Sequence, residues 1–202
     1  MQYPAFFDQA PTVTLQDPLS DFLGSFDDGL VEYRYIDAVK LAGHSCPTVA
    51  GAYLMSVKAL AALYGEETPE RGAIRVSFPD SFDEGVTGVM ASVASLVTGA
   101  AADGGFKGIG PNFDRRDLLR YDEDVACDMV FERVDTGAKV EAVFAAHTVP
   151  MEPEARDLIG KLLQGHASAE EADRFRHLWQ DRVRKILVDH VDDPALIQIR
   201  SQ

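Results

Sequence analysis

The chain reads as an α+β domain in which helices pack on a mixed, largely antiparallel sheet. Three observations predict this. Apolar residues recur at helical spacing in several separate stretches. Two alternating runs, Val125 to Arg133 and Lys139 to Ala146, flank Asp135-Thr136-Gly137 as a hairpin. Helix-like and strand-like segments also fall in segregated runs rather than in a regular strand-helix alternation. With 202 residues, 46% of them apolar, the chain is long enough to bury one core. We assign residues 1–18 to an N-terminal arm and 19–202 to a single domain.

The arm carries Pro4 and Pro11 without sustained periodicity, and its Tyr3, Phe6 and Phe7 serve to dock it on the body or on a second copy. Leu19, Phe22, Leu23 and Phe26 sit at helical spacing, and Asp27-Asp28-Gly29 stops that short helix. Ile36, Val39 and Leu41 mark a turn or two of helix over Tyr35 to Ala42, closed by Gly43. Pro47 opens the next helix, whose Val49, Tyr53, Leu54, Val57, Leu60, Ala61 and Tyr64 repeat at helical spacing. Arg71 to Phe78 alternates Ile74, Val76 and Phe78 with polar residues, as a strand does.

Gly85 to Ala102 is uncharged and nearly long enough to span a bilayer, but Gly, Ser, Thr and Ala supply most of it. It reads as a buried helix whose small side chains allow close approach, not as a membrane span. Gly104 to Pro111 is a glycine-rich loop or irregular strand. After the hairpin, helical patterns occupy Ala155 to Leu163 and Ala169 to Leu187, the second opened by Ser168-Ala169-Glu170-Glu171. A short strand, Leu196 to Arg200, closes the chain.

Charge narrows the function classes. Nineteen Lys and Arg against 33 Asp and Glu leave a net charge of -14, opposite to what a phosphate backbone attracts, which argues against nucleic acid as a partner. The first residues lack the basic start and apolar stretch of a secretory signal, and two cysteines cannot build a disulfide framework. The expected location is the cytoplasm.

The chemistry concentrates in Gly43-His44-Ser45-Cys46-Pro47. An imidazole and a thiol two residues apart, held between a glycine and a proline at the start of a helix, form a candidate nucleophilic or metal-ligating pair. His44 and Cys46 are the candidate catalytic residues. A divalent transition metal, zinc first, accepts one nitrogen and one sulfur, and further ligands would come from Asp83, Glu84 or His147. The plainer alternative makes Cys46 a small buried apolar residue and His44 a hydrogen-bonding group at a helix end. Cys127 alternates with Val125, Met129 and Phe131 and reads as core.

The glycine-rich stretch matches no nucleotide-binding fingerprint, but Lys107, between glycines, is a candidate for an anionic group on a ligand, and Glu84 is a second candidate ligand-binding residue. His166, His177 and His190 default to the surface. Trp179, at helical spacing from Phe175 and Val183, reads as a packing anchor.

With these residues in hand, the chain resembles the FmdE-like family, named for one of the subunits of formylmethanofuran dehydrogenase. The resemblance is carried by GHSCPTVAGAYLM with Gly51 and Tyr53, by Val97-Thr98-Gly99, by GGFKGIG, and by GHASAEEADRFRHLWQDRVRKIL, over residues 34–200. It implies an α+β core, a homodimer, and a cavity lined by His44 and Cys46 where zinc binds. The chain departs from the family's pattern in lacking a cysteine-rich C-terminal module and a cysteine ahead of the uncharged helix, where Asp83 or Glu84 stands instead. The expected function is a homodimeric, metal-binding, small-molecule pocket around His44 and Cys46, in one-carbon or redox metabolism. The alternative is an accessory component or cofactor-binding module of a larger molybdenum or tungsten oxidoreductase.

Overall fold

In a computed structural model of the chain, which describes residues 2–201, the N-terminal segment is bound to the body by its aromatic side chains. A 3-10 turn at Ala5–Gln9 buries Phe6 and Phe7, whose rings meet edge to face at 4.9 Å, and Phe7 packs edge-on against Tyr35. Strand β1 (Val13–Gln16) follows and pairs antiparallel with β2 (Leu30–Tyr33). The segment expected as extended arm is therefore a 3-10 turn and a strand. The Tyr53 hydroxyl shares its one proton between the carbonyls of Pro11, just ahead of β1, and Tyr33, at the end of β2, at 2.7 and 3.0 Å.

Between these strands, helix α1 (Pro18–Leu23) starts on Asp17, whose carboxylate accepts from the amides of Leu19 and Ser20. It ends at Gly24, where φ of 64° lies in the left-handed region that glycine adopts freely. That stop comes earlier than the spacing of Phe26 predicts. Asp17 also pairs with Arg71 at 2.9 Å and with Arg115 at 2.7 Å, in a cluster largely closed to water. Gly72 and Gly99 flank the Arg115 guanidinium so closely that a Cβ on either would overlap it.

Helix α2 (Tyr35–Ala42) ends at Gly43, with φ of 74°, and α3 (Pro47–Tyr64) starts at Pro47. Helix α3 is the centre of the molecule: it is buried nearly all round, so its apolar residues show little sidedness. It packs on the sheet through Gly51, where a Cβ would stand inside the ring of Phe144. Strand β3 (Ile74–Ser77) leads to α4 (Thr87–Thr98), which buries Ala91, Val93, Ala94 and Val97 and closes at Gly99. Among the described residues no helix is long and apolar enough to cross a membrane.

The glycine-rich stretch folds as a small hairpin of β4 (Lys107–Ile109) and β5 (Asn112–Asp114). Gly108, at φ of 85°, lies so close to the Asn112 carbonyl that a side chain has no room. Strand β6 (Leu119–Arg120) then runs parallel to β3. The predicted hairpin is β7 (Met129–Arg133) and β8 (Lys139–Phe144), with Gly137 at φ of 75° in its turn. Val125 to Asp128 stay outside the strand. Helices α5 (Pro153–Leu163) and α6 (Ala169–Arg184) follow, α6 running on into a π-helical turn at Lys185–Asp189, and β9 (Ile197–Ser201) pairs with β8. The sheet order is β6-β3-β7-β8-β9, antiparallel except for β3 with β6. The chain is thus α+β, with helices on a mixed, largely antiparallel sheet.

Candidate functional site

A cavity of about 880 Å³ lies between α2 and α6. Helix α2 contributes Ile36, Val39 and Lys40, and α6 contributes Phe175, Arg176, Trp179 and Gln180. Each set spans three- and four-residue steps, so it forms a single face of its helix. The N-terminal segment covers one side with Tyr3, Pro4 and Phe7, and α5 adds Ile159. The junction between α2 and α3 completes the wall with Gly43, His44 and Ser45.

Ser45 is the residue that fixes this junction. Its hydroxyl donates to Gln180 Oε1 at 3.0 Å and lies 2.9 Å from the Tyr35 hydroxyl. Its carbonyl accepts the indole N–H of Trp179 at 2.9 Å and the Gln180 amide at 3.4 Å. Since the Ser45 proton is committed to Gln180, the Tyr35 hydroxyl is the donor in the remaining bond. Burial pushes the Tyr35 phenol well above its ordinary value, so it keeps that proton.

His44 is exposed on the cavity wall, with Nδ1 2.9 Å from the Ala42 carbonyl. A carbonyl oxygen only accepts, so Nδ1 carries the proton, and in the neutral ring Nε2 is left with its lone pair. Nε2 has no partner among the described residues. Such a nitrogen accepts a hydrogen bond, takes a proton or binds a cation.

Cys46 is placed differently. It is the N-cap of α3, accepting the Val49 amide at Sγ over 3.4 Å, and it is buried and absent from the cavity wall. The motif therefore separates: His44 and Ser45 reach the cavity and Cys46 holds the helix start.

The remaining candidates lie elsewhere. His147 is exposed in a 3-10 turn at Ala146–Thr148, not on a strand. Asp83 is exposed and accepts from the Ser81 hydroxyl at 2.9 Å, and Glu84 beside it is exposed too. Lys107 stands exposed on β4. None of the four lines the cavity that holds His44, and among the described residues no three His, Cys, Asp or Glu side chains group as a cation site. Cys127 is buried, donating to the Met129 carbonyl at 3.3 Å, and burial first, then Glu141, pushes its thiol above its ordinary value.

The residues that sequence reasoning missed are Ser45, Phe175, Trp179 and Gln180. The signal present was the pair Phe175 and Trp179 one turn apart, which are in ring contact at 5.6 Å. Their partner on α2 comes only from the tertiary fold. No family model matches the chain, and no curated protein matches it.

Proposed function

We propose that the protein is a small-molecule-binding domain of the FmdE-like kind, with the cavity between α2 and α6 as its site. The observation that supports this most is the His44 ring, set on an aromatic wall with Nδ1 engaged and Nε2 open. A concave, mostly apolar space of this size with a few fixed polar groups is the usual form of a ligand site. The ligand's apolar body lies against Phe7, Phe175 and Trp179, and its donor group meets His44 Nε2. Calorimetric titration with N-phenylnaphthylamine, a neutral aryl amine, tests it. Saturable binding at one site, with quenching of Trp179 and loss in a cavity-filling Val39→Trp variant, is the expected result; heat of binding unchanged in that variant contradicts the reading.

Zinc on His44 and Cys46 has no such support. Cys46 Sγ is buried and engaged with the Val49 amide, and no third ligand stands near among the described residues, so the residues of one copy do not fit a protein-held ion. Elemental analysis of untagged protein decides this directly, near-stoichiometric zinc lost in Cys46→Ala being the result that restores the metal reading.

For partners, the homodimer stays a proposal, supported by apolar surface on α1 and beyond. Phe22 is 62% exposed and Leu23 59%, Phe26 and Leu30 are exposed beside them, and Phe22 contacts Phe113 at 5.4 Å. Light scattering behind size exclusion tests it. A monomer that co-purifies from native extract with a larger molybdenum or tungsten oxidoreductase favours the accessory-component reading instead. A cytoplasmic location belongs to the same proposal, supported by two free thiols.

A further inference from the structure

We infer that the molecule this cavity takes is an amphipathic organic anion: an aromatic or alkyl body bearing a carboxylate, sulfonate or phosphate, with an N–H or O–H donor. The inference rests on the reading of the cavity as a ligand site and adds the charge of what fills it.

The distribution of charge carries it. Acidic residues outnumber Lys and Arg by 33 to 19 in the chain, yet the described residues lining the cavity include Lys40, His44 and Arg176 and no Asp or Glu. A wall drawn at random from this surface would be acidic. Lys40 and Arg176 each have a carboxylate three residues away on the same helix, Asp37 at 3.4 Å and Asp173, and both carboxylates stand outside the wall. These pairs are solvent-exposed and therefore weak. Arg176 spends only Nη1 on Asp173, so the other guanidinium donors remain for a planar anion.

An anion approaching a chain of net charge -14 is repelled everywhere except where local cations face it. The cavity supplies such a place next to apolar surface. Phe7, Phe175 and Trp179 take the ligand's body, and Lys40 and Arg176 its charge. His44 Nε2 is an acceptor in the neutral ring, which is why the ligand also brings a donor.

Paired titrations of the full chain with anilinonaphthalene sulfonate and with N-phenylnaphthylamine test this, because both probes carry the same aryl N–H and only the first carries charge. Trp179 is the chain's single tryptophan and reports from the cavity wall, while calorimetry gives the stoichiometry. The sulfonate should bind one site at least about tenfold more tightly, and a Lys40→Gln, Arg176→Gln double variant of unchanged circular dichroism should bring that ratio below about twofold. Equal affinity of the two probes overturns the charge inference while leaving the cavity as a site. Uptake of neither overturns the cavity reading and this inference with it. Sulfonate binding at several sites, indifferent to the double variant, shows adventitious adsorption only and also overturns it.

Discussion

Trp179 donates its indole N–H to the carbonyl of Ser45 at 2.9 Å, joining residues 134 positions apart. This bond, with the two between Ser45 and Gln180, one donated by each residue, fixes the wall of α6 against the short junction that carries His44. The cavity is therefore held open by hydrogen bonds between its two walls, not only by apolar contact. Its shape depends on Ser45, which has no apolar bulk to contribute.

Ser45→Ala should lower the free energy of unfolding by about 1–3 kcal/mol, because it leaves the buried Tyr35 hydroxyl without an acceptor. Denaturant titration measures this. A change within about 0.5 kcal/mol, the range of an ordinary surface substitution, would contradict the role given to Ser45.

The cap assigned to Cys46 makes its two simplest variants differ. Cys46→Ser keeps an acceptor for the Val49 amide and should be close to neutral, whereas Cys46→Ala should cost about 1 kcal/mol. Thermal melts of the pair, together with probe affinity, separate a structural thiol from a reactive one. Loss of binding in Cys46→Ser at unchanged stability would sink the structural assignment.

Gly51→Ala sets a methyl group into the ring of Phe144 between α3 and β8. Overpacking at such a contact costs about 1–3 kcal/mol or more. Full stability of the variant would show that α3 stands further from the sheet than described.

Asp17 ties stability to pH. Burial alone pushes its carboxyl up, but the hydrogen bond from Arg71, the charge of Arg115 and the Ser20 amide outweigh it and hold the carboxyl below 3.8. A group held low in the folded state contributes stability present above that ordinary value, and the contribution is lost as the pH falls below 3.8 toward the folded value. Asp17→Asn should cost about 3–5 kcal/mol at neutral pH, by leaving two arginines without their carboxylate. It should also flatten the acid limb of the stability profile. An acid limb of the same steepness in the variant would assign acid unfolding to other carboxyls.

Much of this fold is legible in the sequence wherever the signal is local. Pro47 and Gly43 mark helix ends by backbone geometry that any fold must respect, and Gly137 marks the turn of the β7-β8 hairpin in the same way. What stays hidden depends on partners. Strand β6 has only Leu119 and Arg120 and exists because β3 lies beside it. Strand β2, four residues long, is fixed by pairing with β1 and by Tyr53.

The site divides likewise. The motif around His44 is visible because glycine and proline enclose it, yet its spacing cannot show that Cys46 turns to the Val49 amide while His44 turns to the Ala42 carbonyl. Trp179 reads as a packing anchor from its own helix. It becomes a cavity wall only because α6 faces α2 across the cavity.

In the proposed function, ligand enters beside His44. Heteronuclear NMR of labelled protein titrated with anilinonaphthalene sulfonate locates the entry point residue by residue. The account predicts shifts at His44, Val39, Ile36 and the Trp179 indole, with the free His44 ring protonated at Nδ1. Shifts confined to Phe22, Phe26 and Leu30, with His44 and Trp179 unmoved, would contradict it.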